Sequence, residues 1–241
     1  MKDLIAGGAL AALLLLPGLA GAAGTLSGTV ALAGGEAPAP ARKEMSDECI
    51  EKNGGEQEHD QGIVVNDDGS LRNVFVYISK GLEGQDFPTP PRPVVIDERG
   101  CTYRPHVVGL MPGQPLKVTN TDRMLDNLHS YPEVNRPINV TVLAFQREVV
   151  VREGFDEPEV MIPLRCDVHR WQEAWIGVVA HPFFAVTGDG GSYALHDLPA
   201  GAYTVTAWHE ELGTQSLQVT IADGASAAAD FTFSLEALEA D

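Results

Sequence analysis

The chemistry-bearing stretch of this chain is Cys166-Asp167-Val168-His169-Arg170-Trp171-Gln172, which directly follows the apolar run Val160-Met161-Ile162-Pro163-Leu164. A cysteine at a strand end, a histidine three residues on and a third donor three beyond that can close a tight loop around one metal ion. Thiolate and imidazole together suit copper or zinc, whose softness they match better than that of magnesium or calcium. The spacing C-x-x-H is a weak signal alone. The plain alternative is a buried cysteine next to a surface histidine, so the rest of the chain has to decide.

The first two dozen residues read as an export signal: Lys2, an apolar stretch from Leu4 through Leu13 to Leu16, a breaker at Pro17, and small residues at Ala20-Gly21-Ala22. The apolar part is short and broken for a membrane span. Cleavage is expected near Ala22 or Ala23, giving a periplasmic or secreted product; Asp3 weakens the positive end and leaves an uncleaved anchor as the alternative. No cysteine near the cleavage site would carry a lipid. Outside the cytoplasm thiols tend to pair. Cys49, in a polar stretch, and Cys101, after the turn-like Asp97-Glu98-Arg99-Gly100, could form a disulfide and leave Cys166 free, and a free thiol in an exported protein is well explained by ligation. Pairing of Cys166 with one of the other two is the competing reading.

The 241 residues can hold one large or two small domains, and 44% hydrophobic content is enough for a packed core. Sixteen basic residues against 34 acidic ones give a net charge of -18, which repels phosphate backbones and anionic lipid, so nucleic acid is not expected as a partner. A solvated acidic surface or a basic partner accounts for the charge.

Strand signals run through the mature chain. Leu26 to Leu32 alternates apolar with small or polar residues. Residues 34 to 71 are rich in Gly, Pro, Glu and Asp and read as an irregular lobe. Val74-Phe75-Val76-Tyr77-Ile78 and Pro93-Val94-Val95-Ile96 are β-rich. A Pro112-Gly113 turn separates Val107 to Leu110 from Leu116 to Asn120, and further strands are expected at 140 to 145, 147 to 152 and 159 to 165. Gly191 to Leu195, Leu198 to Trp208, Ser216 to Ile221 and Asp230 to Leu235 continue the style. No long amphipathic helical pattern appears after the signal segment, so the fold class is all-β, a sandwich or barrel.

From Asn73 to about His181 the chain resembles the cupredoxin, or blue-copper, family: a strand pair around a Pro-Gly turn, then Val118-Thr119-Asn120-Thr121-Asp122, a ligand-bearing segment and a late strand feeding a cysteine loop of short, amicyanin-like spacing. The flanks, Thr25 to Leu32 and Gly191 to Val205, resemble the carboxypeptidase regulatory-like domain, a non-catalytic transthyretin-like sandwich whose signature reads roughly G-x-Y-x-L-x-x-L-P-x-G-x-Y. The resemblance implies a cupredoxin-like Greek-key sandwich inserted in or joined to a transthyretin-like β-sandwich. Its division is a signal peptide at 1–22, a first regulatory-like strand at 23–40, an irregular lobe at 41–71, a cupredoxin-like domain at 72–181 and the remaining regulatory-like sandwich at 182–241.

The same resemblance implies a copper site, from which the chain departs twice. At Met124-Leu125-Asp126-Asn127-Leu128-His129 the family places a histidine ligand before the asparagine, whereas Asp126 stands here, a harder donor that disfavours copper(I). Gln172 stands where the short loop normally carries an axial methionine; glutamine is a recognised axial donor expected to lower the reduction potential. His129 could supply the missing imidazole only from a loop or bulge, because in a regular strand Asp126 and Leu128 share one face and His129 the other. The candidate ligands are Cys166 and His169, then His129 and Asp126, with Gln172 as a weak axial donor.

His106, His209, His59, His181 and His196 read as structural or turn residues, although His59 and His106 could join a second site if the lobe folds back. The chain has no G-x-S-x-G elbow, no Gly-rich phosphate loop, no H-E-x-x-H and no pair of carboxylates set for acid and base roles, so an enzyme is not expected. Two functions follow. One is a periplasmic copper protein, with zinc as the alternative ion, that transfers electrons to a redox partner protein or handles copper. The other is a metal-free binding module with a degenerate copper site, whose Trp171, Trp175 and Trp208 could stack on a carbohydrate or whose surface could hold a protein.

Overall fold

A computed structural model describes residues 22–34 and 37–239. All but the last residue of the expected signal segment lies outside the described residues. Among the described residues no helix is long and apolar enough to cross a membrane.

The chain forms two pairs of open sheets, each pair closed on its own apolar core. The outer sandwich comes from both ends of the sequence. Its first sheet centres on Gly24–Leu32, which pairs antiparallel with Ser192–Leu198 and parallel with Ser226–Ala228 and Phe231–Phe233. The facing sheet runs Phe184–Val186, Phe75–Lys80, Gly201–His209, Gly213–Ile221. Leu26, Val30, Val76, Ile78, Val205 and Phe231 fill the space between them.

The inserted sandwich pairs a five-stranded sheet, in the order Val107–Leu110, Glu173–Val178, Glu159–Arg165, Asp126–Ser130, Asn139–Val142, with a four-stranded one, Tyr103–Arg104, Val94–Glu98, Leu116–Asn120, Glu148–Val151. In Leu116–Asn120 burial alternates residue by residue, as a strand with one face on a core requires. Leu116, Val118, Ile96, Leu128, Ile162 and Ile176 meet in this core.

The insertion begins later than the resemblance implies. Phe75–Lys80 falls within the expected cupredoxin-like stretch, yet it pairs with Phe184–Val186 and Gly201–His209 in the outer sandwich. The reason is visible along its length. Val76 and Ile78 enter the outer core, while Phe75 and Tyr77 turn into a third cluster, with Val107, Trp175, Phe184 and Trp208, that joins the sandwiches. A strand buried on both faces reads as a continuous apolar run that carries no sign of which sandwich owns it. The insert therefore follows the second strand of the outer sandwich, not the first.

Glycine makes the junction close. Gly109 and Gly177 are register partners on neighbouring strands. A Cβ on Gly109 would lie 2.4 Å from the Phe184 ring, and one on Gly177 would lie 2.6 Å from Phe75. Their bare backbones form a trough for two rings stacked 5.6 Å apart, of which the fully buried Phe75 contributes about 1.5–3 kcal/mol.

The lobe contains one short helix, Asp47–Lys52, capped by Ser46, whose hydroxyl accepts from Cys49 N at 3.3 Å. The apolar side of that turn buries Cys49. A bond between Cys49 and Cys101 anchors the helix to the inserted sandwich.

Candidate metal centre

Three strands of the five-stranded sheet position the site. Glu159–Arg165 pairs antiparallel with Glu173–Val178, so that Arg165 faces Glu173 and residues 166–172 form the connecting loop. Cys166 N donates to Gln172 O at 3.3 Å and Gln172 N to His169 O at 2.8 Å, which folds the loop inward. On the other side Arg165 faces His129 of Asp126–Ser130, which sets that strand's first residue beside the loop.

Asp126, Cys166 and His169 are all buried, with one donor atom each lying within 4.8 Å of the others. Cys166 Sγ is 2.7 Å from Asp126 Oδ1; His169 Nδ1 is 3.1 Å from Asp126 Oδ2. Gln172 Nε2 donates to Asp126 Oδ2 at 2.9 Å, while Gln172 Oε1 is buried and unpartnered. The backbone N–H groups of Val168 and His169 donate to Cys166 Sγ at 3.2 and 3.0 Å, an arrangement suited to a thiolate.

Burial, followed by the Asp126 carboxylate and its hydrogen bond, pushes the Cys166 thiol up to about 12, against the opposing pull of the His169 backbone N–H. A cation among these donors would reverse that balance, because metal coordination deprotonates a thiol outright. The set of sulfur, imidazole nitrogen, carboxylate oxygen and an amide oxygen without a donor fits copper or zinc chemically. An orphaned buried carbonyl oxygen is costly unless something pairs with it.

His129 does not join this group. Asp126–Ser130 is a regular strand, so parity turns the His129 ring outward, where Nδ1 meets Asp167 at 3.2 Å and the Tyr131 hydroxyl at 3.0 Å. The expectation of a second imidazole from this segment is corrected accordingly. Trp175 and Trp208 lie half-buried in the seam with ring centroids 5.1 Å apart, packed on each other. His106 also lies in the seam, where it meets Glu210 at 2.5 Å, and His59 bridges Arg42 within the lobe. The two histidines do not form a second site.

Other residues matter more than the sequence reading allowed. Asn127 ties strand to loop: its Oδ1 accepts from Asp167 N at 2.8 Å and its Nδ2 donates to Asp167 and to Asn139, both at 2.9 Å. The Tyr103 hydroxyl donates to Asn127 O from below. Glu98 is buried with neither carboxylate oxygen partnered. Burial first, then the neighbouring Asp126 and Asp122 charges, push it up to about 9. Strand parity with Ile96 was the available signal, since residues two apart share a face.

The lobe covers the loop. Lys43 Nζ donates to Trp171 O at 3.0 Å, and Trp171 Nε1 donates to Cys101 O at 2.9 Å. The Trp171 and His169 rings are 5.3 Å apart, and His169 is only 6% exposed. A cupredoxin-like loop alone does not predict such a cover.

No family model matches the chain, and no curated protein matches it. Among solved structures it is similar to a copper-containing nitrite reductase from Thermus scotoductus SA-01, with 16% identity and a TM-score of 0.31, over 42% of this chain and 25% of that one. This chain thus spans about a quarter of that reductase. A reduced amicyanin variant shows 16% identity and a TM-score of 0.32, over 36% of this chain and 82% of that one. A purple cupredoxin from Nitrosopumilus maritimus shows 19% identity and a TM-score of 0.30, over 35% of this chain and 98% of that one. These similarities are weak, and the chemistry of the site rests on its own side chains.

Proposed function

We propose that the chain is an exported β-sandwich protein that holds one copper ion with Cys166, His169 and Asp126, with Gln172 as a weak fourth donor, and that it transfers an electron or hands the metal on. The observation that carries this reading is the convergence of a free buried thiol, an imidazole and a carboxylate within 4.8 Å. Bound copper would supply a one-electron couple; zinc suits the same donors without one. Two backbone N–H groups already point at the Cys166 sulfur and suit its thiolate form once a cation stands between it and Asp126. Asp126, in place of an imidazole, favours copper(II) and lowers the potential. The lobe excludes water from His169 and restricts which partners approach it. A net charge of -18 favours a basic protein as that partner.

Copper(II) added to the purified chain is expected to give an intense visible thiolate-to-copper band at one ion per chain, and Cys166→Ala is expected to abolish it. No band and no stoichiometric uptake would end the copper reading.

A second reading has its own support. Asp126 already pairs with Cys166, His169 and Gln172, so the side chains close on one another without an ion. The module would then bind a protein or carbohydrate, and a partner retained equally by wild type and Cys166→Ala in pull-down, with no metal effect, favours it.

A further inference from the structure

We propose that Cys49 and Cys101, once their disulfide is reduced, hold a copper(I) ion together with His169 and Met124, a second soft-metal position beside the first. The two sulfurs and a ring nitrogen of His169 all lie within 4.8 Å of one another, and all three residues are buried. Met124 Sδ is 3.6 Å from Cys101 Sγ. Three sulfurs and one imidazole form a donor set that selects copper(I) over harder ions. A bond serving only to staple the lobe has no need of a thioether and an imidazole as its neighbours, yet the chain's three cysteines all fall in the two donor groups that share His169.

The backbones that carry the donors are held when the bond opens, so the two sulfurs need only swing from bonded to non-bonded distance. Asp122 accepts from Gly100 N at 2.9 Å and Cys101 N at 2.7 Å, which fixes Cys101 in the left-handed conformation at φ 52°. Trp171 holds the Cys101 carbonyl. Cys49 sits on a capped helix, and its lobe is held independently by Lys43 to Trp171 and by Arg104 to Glu58 at 2.8 Å. Nδ1 of His169 faces Asp126, which leaves Nε2 for the second ion; with both positions filled the ring bridges them as an imidazolate, its remaining proton released to solvent.

Opening needs a dithiol donor. Its two thiols become a disulfide as the Cys49–Cys101 bond takes up two electrons and two protons, and copper(I) then displaces those two protons to solvent. The second position uses different sulfurs from the first and does not depend on copper at Cys166.

The test is an anaerobic titration of the full chain with copper(I) against a chromophoric chelator, before and after treatment with a water-soluble phosphine. The reduced chain is expected to hold one more equivalent than the oxidised chain. That increment should survive in Cys166→Ser and vanish in Cys49→Ser/Cys101→Ser. In reduced wild type, copper(I) should protect both thiols from alkylation, read by mass, which keeps the test decisive if the double variant fails to fold. Equal stoichiometry in both redox states, alkylation undiminished by copper, or a disulfide that the phosphine leaves intact in the folded chain would each overturn the proposal. Loss of the copper(II) band alone would instead strike only the Cys166 site.

Discussion

Two buried histidine–carboxylate pairs sit among the described residues, and they differ in what surrounds them. In the seam, His106 Nε2 meets Glu210 Oε1 at 2.5 Å, Trp175 Nε1 donates to Glu210 Oε2 at 2.6 Å, and His106 Nδ1 reaches Glu173 O at 3.1 Å. Every polar atom of the pair is spoken for. At the loop, His169 and Asp126 pair at a similar degree of burial, but beside a free thiol and an amide oxygen with no donor. Burial and pairing alone therefore do not mark a site. What sets the loop apart is a free thiol beside that unspent valence, the combination the proposed copper site would use, whereas the seam pair is a closed network.

The comparison breaks most visibly at Glu210. Glu210→Ala leaves His106 and the Trp175 indole unpaired in the seam, and a loss of about 3–5 kcal/mol in denaturant unfolding is expected. Copper uptake by the surviving folded fraction should be unchanged. Asp126→Asn keeps the shape at the loop and removes the charge. Copper(II) affinity should fall by about 10–100-fold in a chelator competition, with a smaller change in melting temperature than Glu210→Ala produces.

Next in size is a pH effect beside the seam pair. Burial holds His209 down to about 4, below its ordinary 6.5, and its Nδ1 accepts from Glu211 N and Leu212 N, both at 3.2 Å. The unfolded chain binds this proton more readily, so stability contributed by the neutral ring is present above about pH 6.5 and is lost as pH falls towards 4. His209→Asn, which retains an acceptor, should flatten that window by on the order of 1–2 kcal/mol in urea unfolding at pH 4.5 against pH 7. The smallest change is Gln172→Met. Removing the orphaned oxygen offsets loss of the bond to Asp126, so metal-free stability should move by less than about 1 kcal/mol, while the visible copper band shifts in position. A band unmoved by this change would place Gln172 outside the coordination sphere.

Parts of this were legible in the residues themselves. A seven-residue connection cannot carry His169 or Gln172 far from Cys166, and a period of two separates His129 from Asp126 in any regular strand. Leu116–Asn120 declares its buried face by alternation. The rest depended on pairings across long sequence distances. Phe75–Lys80 is apolar on both faces and could have belonged to either sandwich, and Glu173–Val178, a central strand, was hidden behind the motif that precedes it. The lobe's role was invisible because polar, Pro- and Gly-rich sequence says nothing about what it covers. Even Glu98 was readable only to someone who counted two back to Ile96.

The trough at Gly109 and Gly177 carries one more meaning. Aromatic rings from one sandwich lie where the other sandwich has no side chains, so each half completes the other's surface. A chain relieved of its insert would show water a row of uncovered rings, and an insert freed from its host would carry an empty slot of matching width. The two therefore fit as a lock with its key and not as beads on a string.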